Sequence, residues 1–181
     1  MNRAQVIKFL VIQEISLIVI SIIWLYFRPN INPWIKWKIS LLDFSLGIGA
    51  TIVMILLSFL IFSFSDHLKK TMIFLDSILF SKIKYKDILY LSILSGIGEE
   101  LFFRGVLQNE FNIIISSLIF GILHLAGKNM WGYALWALFA GFYLGNIYAY
   151  TGNLFLPILI HTLNNCIAMF LWLRFKHKFI S

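Results

Sequence analysis

Four side chains that could hydrolyse a peptide bond interrupt the apolar segments of this 181-residue chain: Glu99, His124, His161 and Asn165. A carboxylate can take a proton from water as general base. Imidazole and amide N–H groups can stabilise the oxyanion of a tetrahedral intermediate. Alternatively, Glu99, His124 and His161 match the ligand set of a catalytic zinc site, which leaves a fourth position for water. His161 and Asn165 are four residues apart, so a helix would present both to one site.

Helical spacing gives the two adjacent glutamates different roles. Glu100 and Arg104 are i and i+4, so they share a helix face and can form an ion pair. Glu99 points about 100° away and has no basic neighbour three or four residues distant. We therefore predict that Glu99 is available for chemistry and that Glu100 and Arg104 support it. Ordinary interhelical hydrogen bonds are the alternative for any one of these groups, and they are our interpretation of Glu14.

The segments that carry these groups have the composition of a membrane protein. Hydrophobic residues make up 60% of the chain and charged residues only 13%, against about 25% charged in soluble domains. Because lipid cannot satisfy an open sheet edge, helices are expected. We predict an all-α polytopic transmembrane helix bundle with about six spans, at residues 5–27, 41–65, 87–108, 111–126, 130–150 and 154–173.

Composition also divides the chain into parts. Residues 1–65 are predicted to form two N-terminal transmembrane helices, and 87–173 a four-helix catalytic membrane core. The connection 66–86 mixes lysines with apolar residues, which is typical of an amphipathic helix on the membrane surface. Residues 174–181 form a basic tail. Counting along the predicted spans places His124 about 9 Å from the depth of Glu99 at 1.5 Å per residue.

The formal net charge of +7 indicates membrane topology rather than nucleic-acid binding, since the basic residues lie at the ends of apolar segments. With six spans, 11 of the 15 basic residues share one side. These are Arg3, Lys8, Lys69, Lys70, Lys82, Lys84, Lys86, Lys128, Arg174, Lys176 and Lys178. The positive-inside rule then predicts that both termini are cytoplasmic. The expected partners are the lipid bilayer and a membrane-associated protein or peptide, with no nucleic acid.

Three motifs resemble, in their order along the chain, those of the CPBP family, which includes the type II CAAX prenyl endopeptidases and bacterial relatives labelled Abi. The motifs are Glu99-Glu100-x-x-x-Arg104, Phe120-x-x-x-His124 and His161-x-x-x-Asn165, and the resemblance covers about residues 85–170. It implies that Glu99 activates water with help from His124. It also implies that His161 and Asn165 bind the oxyanion or hold the site. Glu100, Arg104 and Phe120 are then supporting residues.

The resemblance implies an intramembrane endopeptidase of a bacterial cell membrane, acting on a prenylated protein or on a bacteriocin-like peptide. The family has been described both as metal-dependent and as metal-free, so a divalent metal such as zinc stays an alternative. A non-catalytic membrane immunity or scaffold protein is the second hypothesis. A proton-coupled transporter is disfavoured, because the sequence shows no inverted repeat.

Overall fold

The computed structural model describes residues 1–33, 40–125, 127 and 130–179, and every regular element within these ranges is helical. The predicted all-α bundle is thereby confirmed. The helices are α1 (Arg3–Phe27), α2 (Leu41–Phe64), α3 (Asp66–Ile78), α4 (Tyr85–Glu100), a π-helical segment (Leu101–Leu107), α5 (Gln108–Phe111), α6 (Ile113–Leu123), α7 (Trp131–Thr151) and α8 (Phe155–Phe175). Some of the predictions concern residues outside the described ranges. They are the basic residues Lys36, Lys38 and Lys128 and the last residue of the basic tail, Ser181.

The helices expose apolar side chains and bury polar ones. Phe59 and Phe64 on α2 are 68% and 84% exposed, whereas Glu99, Glu100 and Arg104 are 8%, 0% and 1% exposed. A soluble protein rarely leaves so much contiguous apolar surface open, and buried ionisable groups facing the bundle interior are typical of membrane helices. The distribution is that of an integral membrane protein whose interior carries the polar groups.

Within the described residues, three helices are long and apolar enough to cross a bilayer: Arg3–Phe27, Leu41–Phe64 and Phe155–Lys178, with mean hydropathies of 2.3, 2.4 and 1.6. Helix α6 is shorter than the predicted segment 111–126, because it has only 11 residues, or about 17 Å at 1.5 Å per residue. It begins abruptly at Asn112, which has a φ of 120° and accepts hydrogen bonds from the amides of Ile114 and Ile115.

Two ion pairs fix how α1 lies along the helix formed by α4, the π-helical segment and α5. At one end the Arg3 guanidinium donates both to Asp87 Oδ1 (2.5 Å) and to Asp87 Oδ2 (3.1 Å). At the other end Arg28 donates to both oxygens of Glu110. Since the first pair joins the two helix beginnings and the second joins the two ends, α1 and this helix run in the same direction.

Two glycines let α4 approach its neighbours closely. A Cβ at Gly96 would lie 2.2 Å from Thr162 Oγ1 and 3.1 Å from the Ile158 carbonyl oxygen, both on α8. A Cβ at Gly98 would lie 2.8 Å from Glu14 Oε2 on α1. Glu99 therefore follows a stretch of α4 that is pressed between α8 on one side and α1 on the other.

The first part of the lysine-rich connection forms the predicted amphipathic helix, α3. This helix packs across one end of the bundle, beside the end of α8. Leu75 and Asp76 are buried, whereas Asp66 and Lys70 are exposed. Asp76 accepts hydrogen bonds from Trp172 Nε1 (2.8 Å) and Lys176 Nζ (2.9 Å) near the end of α8. These contacts place α3 and the end of α8 on one side of the molecule.

Candidate active site

Glu99 lies at the end of α4, two residues before the π-helical segment begins at Leu101. π-helical turns are rare and occur frequently at functional sites. Its side chain is almost fully enclosed, and Oε2 has no hydrogen-bond partner among the described residues. A buried carboxylate without a paired cation is costly, and of the two adjacent glutamates it is Glu100, not Glu99, that forms an ion pair with Arg104.

Both motif histidines face Glu99. His124 Nε2 and His161 Nε2 each lie 3.9 Å from Glu99 Oε2. The sequence predicted that His124 and Glu99 lie at different depths in the membrane, but the structure places them side by side. Helix α6 ends at Leu123, and the ring of His124 extends from the end of the helix towards Glu99. Residues from α4, α6 and α8 thus converge on one oxygen atom.

The far side of each imidazole ring is held by an acceptor. His124 Nδ1 donates to the Phe120 carbonyl oxygen (2.7 Å), and His161 Nδ1 donates to Glu100 Oε1 (2.6 Å). When the rings are neutral, this assignment leaves the lone pairs of both Nε2 atoms turned towards Glu99. Three acceptor atoms that meet at one point favour a hydrogen-bond donor or a cation between them.

Glu100 and Arg104 form the predicted ion pair, with Arg104 Nη1 2.9 Å from Glu100 Oε1. The guanidinium also donates to the Gly141 carbonyl oxygen on α7 (3.2 Å). Because the same Glu100 oxygen accepts from His161, the pair is connected directly to the site. Arg104 thereby orients Glu100, and Glu100 orients the His161 ring.

Phe120 packs among the charged groups, as its supporting role predicted. Its ring centroid is 4.5 Å from that of His124 and 6.3 Å from that of His161. The Arg104 guanidinium lies over the same ring at 4.8 Å, a distance at which cation–π attraction is significant. The aromatic ring separates Arg104 from His124 and excludes solvent between them.

Asn165 is placed differently from the other motif residues. Its Nδ2 donates to Ser95 Oγ on α4 (2.9 Å), one helical turn before Glu99. The structure shows no hydrogen bond from Asn165 to Glu99 or to either histidine. The prediction that His161 and Asn165 face one site is therefore supported for His161, while Asn165 contacts a residue on the adjoining turn of α4.

Sequence reasoning missed three further contributors: Ser95, Tyr133 and the Gly141 carbonyl group. The Tyr133 ring lies 5.5 Å from that of His124. Nothing in the local pattern of α7 distinguished Tyr133 from its other aromatic residues. Ser95 could have been found from its i, i+4 relation to Glu99. A backbone carbonyl acceptor such as that of Gly141 has no sequence signal.

The donor chemistry suits a metal, but the spacing does not. Two histidines held at Nδ1 by acceptors are typical of zinc ligands. A tetrahedral zinc, however, binds each ligand atom at about 2.0–2.2 Å, which places two ligand atoms about 3.3–3.6 Å apart. The 3.9 Å between Glu99 Oε2 and each Nε2 is a few tenths of an ångström longer. Among the described residues, no group of three or more His, Cys, Asp or Glu side chains is close enough to hold a metal ion.

The structure is a helical membrane bundle in which a buried glutamate faces two histidines. Residues 81–167, just under half of the chain, match the family model described as type II CAAX prenyl endopeptidase Rce1-like. The resemblance drawn from the three motifs is thereby confirmed. This is a protease family, so the domain is of a hydrolase type and its environment is the membrane.

The chain is also similar to the uncharacterized protein YpbD of Bacillus subtilis (strain 168). The two are 35% identical over 99 residues, which is 55% of this chain and 52% of that protein. The chain therefore spans about half the length of this relative. No solved structure shows significant similarity to the chain.

Proposed function

We propose that the protein is an endopeptidase that hydrolyses a peptide bond of a membrane-associated protein or peptide inside the bilayer, with Glu99 as the general base. The observation that carries this proposal is the convergence of His124 Nε2 and His161 Nε2 on Glu99 Oε2 at 3.9 Å each. The separation is too long for a direct hydrogen bond but fits a water molecule bonded at about 2.8 Å to each group.

The attacking water is held by two acceptors in this mechanism. It donates one proton towards Glu99 and the other towards His124, whose Nδ1 is occupied by the Phe120 carbonyl oxygen. Glu99 then removes its proton as the water oxygen attacks the substrate carbonyl carbon. His124 keeps the nucleophile in place during the transfer.

The oxyanion is assigned to His161 and Asn165. Glu100 accepts from His161 Nδ1 and so stabilises the protonated ring, whose Nε2–H can donate to the oxyanion. Asn165 uses one amide hydrogen for Ser95, and its Nδ2 has a second hydrogen to donate. Arg104 holds Glu100 from the opposite side and keeps its carboxylate oriented.

Domain organisation and topology follow as further parts of the proposal. Residues 87–173 form the catalytic membrane core, and 1–65 supply two accompanying helices. Both termini face the cytoplasm, since the beginning of α1 and the end of α8 lie on the same side of the bundle as the lysine-rich helix α3. The substrate is a membrane-anchored polypeptide, because the site is enclosed by helices with apolar outer surfaces.

Kinetic coupling tests this mechanism. Glu99→Gln, His124→Ala and His161→Ala should each abolish nearly all cleavage, and Glu99→Gln combined with either histidine variant should add little, because groups that act as one unit are strongly non-additive. The measurement is kcat/KM on a membrane-anchored peptide. Losses that multiply as independent factors would contradict the convergent site.

Treatment with a chelator distinguishes a metal-dependent mechanism from a metal-free one. Because the measured spacing does not form a metal-ligand cluster, we expect activity to persist after treatment with a zinc chelator and elemental analysis to find less than one zinc per chain. Stoichiometric zinc, together with activity that is lost on chelation and restored by zinc, would overturn the metal-free mechanism.

A further inference from the structure

Glu14, midway along α1, is a buried acidic side chain that the mechanism above does not use. It is 5% exposed, and its Oε2 has no hydrogen-bond partner among the described residues. Its Oε1 accepts only a long bond of 3.4 Å from the neighbouring Gln13 amide. Helix α1 lies outside the segment 81–167 that matches the family model, so this carboxyl group is a feature of this chain rather than of the three motifs.

The fold brings Glu14 to the catalytic carboxylate. Its Oε2 lies 2.8 Å from the position of a Cβ at Gly98, the residue before Glu99. The Glu14 side chain therefore packs against α4 at the residue that precedes the catalytic carboxylate. Glycine at position 98 is what permits this approach, because any larger residue would displace the carboxyl group.

The two helices are held in the register that maintains this contact. Arg3 pairs with Asp87, and Glu14 and Gly98 each lie eleven residues further along their helices (14 − 3 and 98 − 87). The ion pair of Arg28 with Glu110 closes the opposite end. Glu14 is thus positioned by the packing of α1 as a whole.

The charges that develop on the substrate during peptide hydrolysis limit the roles that the Glu14 carboxylate can have. The oxyanion is negative, so an ionised carboxylate beside it cannot stabilise it. Glu99 already serves as the base with two histidines beside it. The leaving nitrogen is the remaining centre whose charge changes, and it becomes an ammonium ion, which a carboxylate in a low-dielectric site stabilises strongly.

On the basis of the proposed endopeptidase function, we infer that Glu14 is a further catalytic residue, which accepts a hydrogen bond from the leaving amine of the substrate and balances its positive charge. This extends the site to α1, beyond the three motifs. It also explains why Glu14 is buried without an ion-pair partner: its partner is the product amine.

The step balances as follows. Glu99 passes the proton taken from water to the nitrogen of the tetrahedral intermediate, which becomes a cationic ammonium group. The oxyanion electron pair then re-forms the carbonyl group as the carbon–nitrogen bond breaks, and the bond electrons go to nitrogen, which leaves as a neutral amine. The proton of the newly formed carboxylic acid then passes to the amine through Glu99, which gives a carboxylate and an ammonium ion. Glu14 accepts an N–H hydrogen bond from this nitrogen throughout.

Cleavage of a peptide and of the matching ester tests whether Glu14 acts on the leaving amine. The probe is a membrane-anchored fluorogenic peptide that the full-length protein cleaves, together with its depsipeptide, in which an ester oxygen replaces the scissile N–H group. Glu14→Gln should lower kcat on the peptide by about 10²-fold and leave kcat on the depsipeptide nearly unchanged, because an alcohol leaves without becoming a cation. Asp66→Asn, which changes an acidic side chain that is 87% exposed at the beginning of α3, is the control and should affect neither.

Each other outcome has a definite meaning. Equal losses on both probes, or a change confined to KM, would overturn the inference and assign Glu14 to packing or to binding of a basic side chain. Loss of the fold in both Glu14→Gln and Glu14→Met would overturn it as well. If Glu99→Gln cleaves both probes like the wild-type protein, the proposed function itself is wrong, and that result is distinct from any result at Glu14.

Discussion

At the residue scale, the side chains of the site are connected in series by hydrogen bonds and close contacts. Arg104 donates to Glu100, Glu100 accepts from His161, and the opposite nitrogen of His161 faces Glu99. Each group has its orientation fixed by the one before it. The two adjacent glutamates therefore differ in environment, because Glu100 is paired with the buried Arg104 cation and Glu99 is not.

A double-mutant cycle at positions 100 and 104 tests this chain. Arg104→Ala should lower stability by about 3–5 kcal/mol, because it leaves Glu100 charged at 0% exposure. Glu100→Gln should be harmful for the same reason, and Glu100→Gln with Arg104→Met should recover part of the loss. The measurement is thermal unfolding in detergent.

The control for that cycle is the exposed pair at the end of α1. Arg28→Ala should change stability by no more than about 1 kcal/mol, since its side chain is 57% exposed. Additive losses at 100 and 104 would reject the pairing, and a stronger coupling of Arg104 to Glu99 would exchange the roles of the two glutamates.

The extent of sequence-based prediction is clearest for these residues. The i, i+4 spacing was enough to predict the Glu100–Arg104 pair, because its geometry is local to one helix. The link from Glu100 to His161 spans 61 residues and depends on how α4 packs on α8. Asn165 shows the limit of the i, i+4 rule. Its spacing from His161 places both residues on one face of α8, but its amide donates to Ser95 and not to Glu99.

At the element scale, the glycines of α4 control how closely α1 and α8 approach the site. Sequence reasoning did not identify Gly96 and Gly98 as close-approach positions, because such contacts depend on the neighbouring helix. It also overestimated the length of α6, since it did not anticipate that Asn112 would begin the helix with a positive φ. That shorter helix is what brings His124 level with Glu99.

A pair of glycine substitutions tests the role of close packing. Gly96→Ala should lower the free energy of unfolding by about 1–3 kcal/mol, because its methyl group would lie 2.2 Å from Thr162 Oγ1 and 3.1 Å from backbone atoms of α8. Gly49→Ala on α2 is the matched control, since a Cβ there meets nothing within 4 Å. It should be neutral or stabilising through helix propensity. Equal effects of both substitutions on thermal stability in detergent would contradict the packing account.

At the scale of the whole molecule, the bundle is arranged as a membrane protein with its polar groups inside. The apolar composition was sufficient to predict this, because no soluble core of this size could bury so many apolar residues. Orientation relative to the membrane is a prediction from charge. The ion pairs of Arg3 with Asp87 and of Lys176 with Asp76 place both ends of the described chain on the side of α3.

Reporter fusions test that orientation. Reporters placed after Ser181 and within 66–86 should be cytoplasmic, and reporters placed between Arg28 and Ser40 should be external, because 11 of the 15 basic residues lie on the first side. The measurement is the activity of a paired reporter that functions on one side of the membrane only. A cytoplasmic signal from the segment between Arg28 and Ser40 would contradict the predicted topology.

Substitution of Glu99 tests the central claim most directly. Terminal-peptide proteomics compares membranes from cells that carry the wild-type protein, Glu99→Gln or the control Glu110→Gln, and thermal stability in detergent is measured for all three. We predict that peptide ends produced by the wild type and by Glu110→Gln are absent with Glu99→Gln, whose fold is retained because Glu99 is not part of a structural ion pair. The same peptide ends in the Glu99→Gln membranes, or collapse of that variant, would contradict the assignment of Glu99 as the catalytic base.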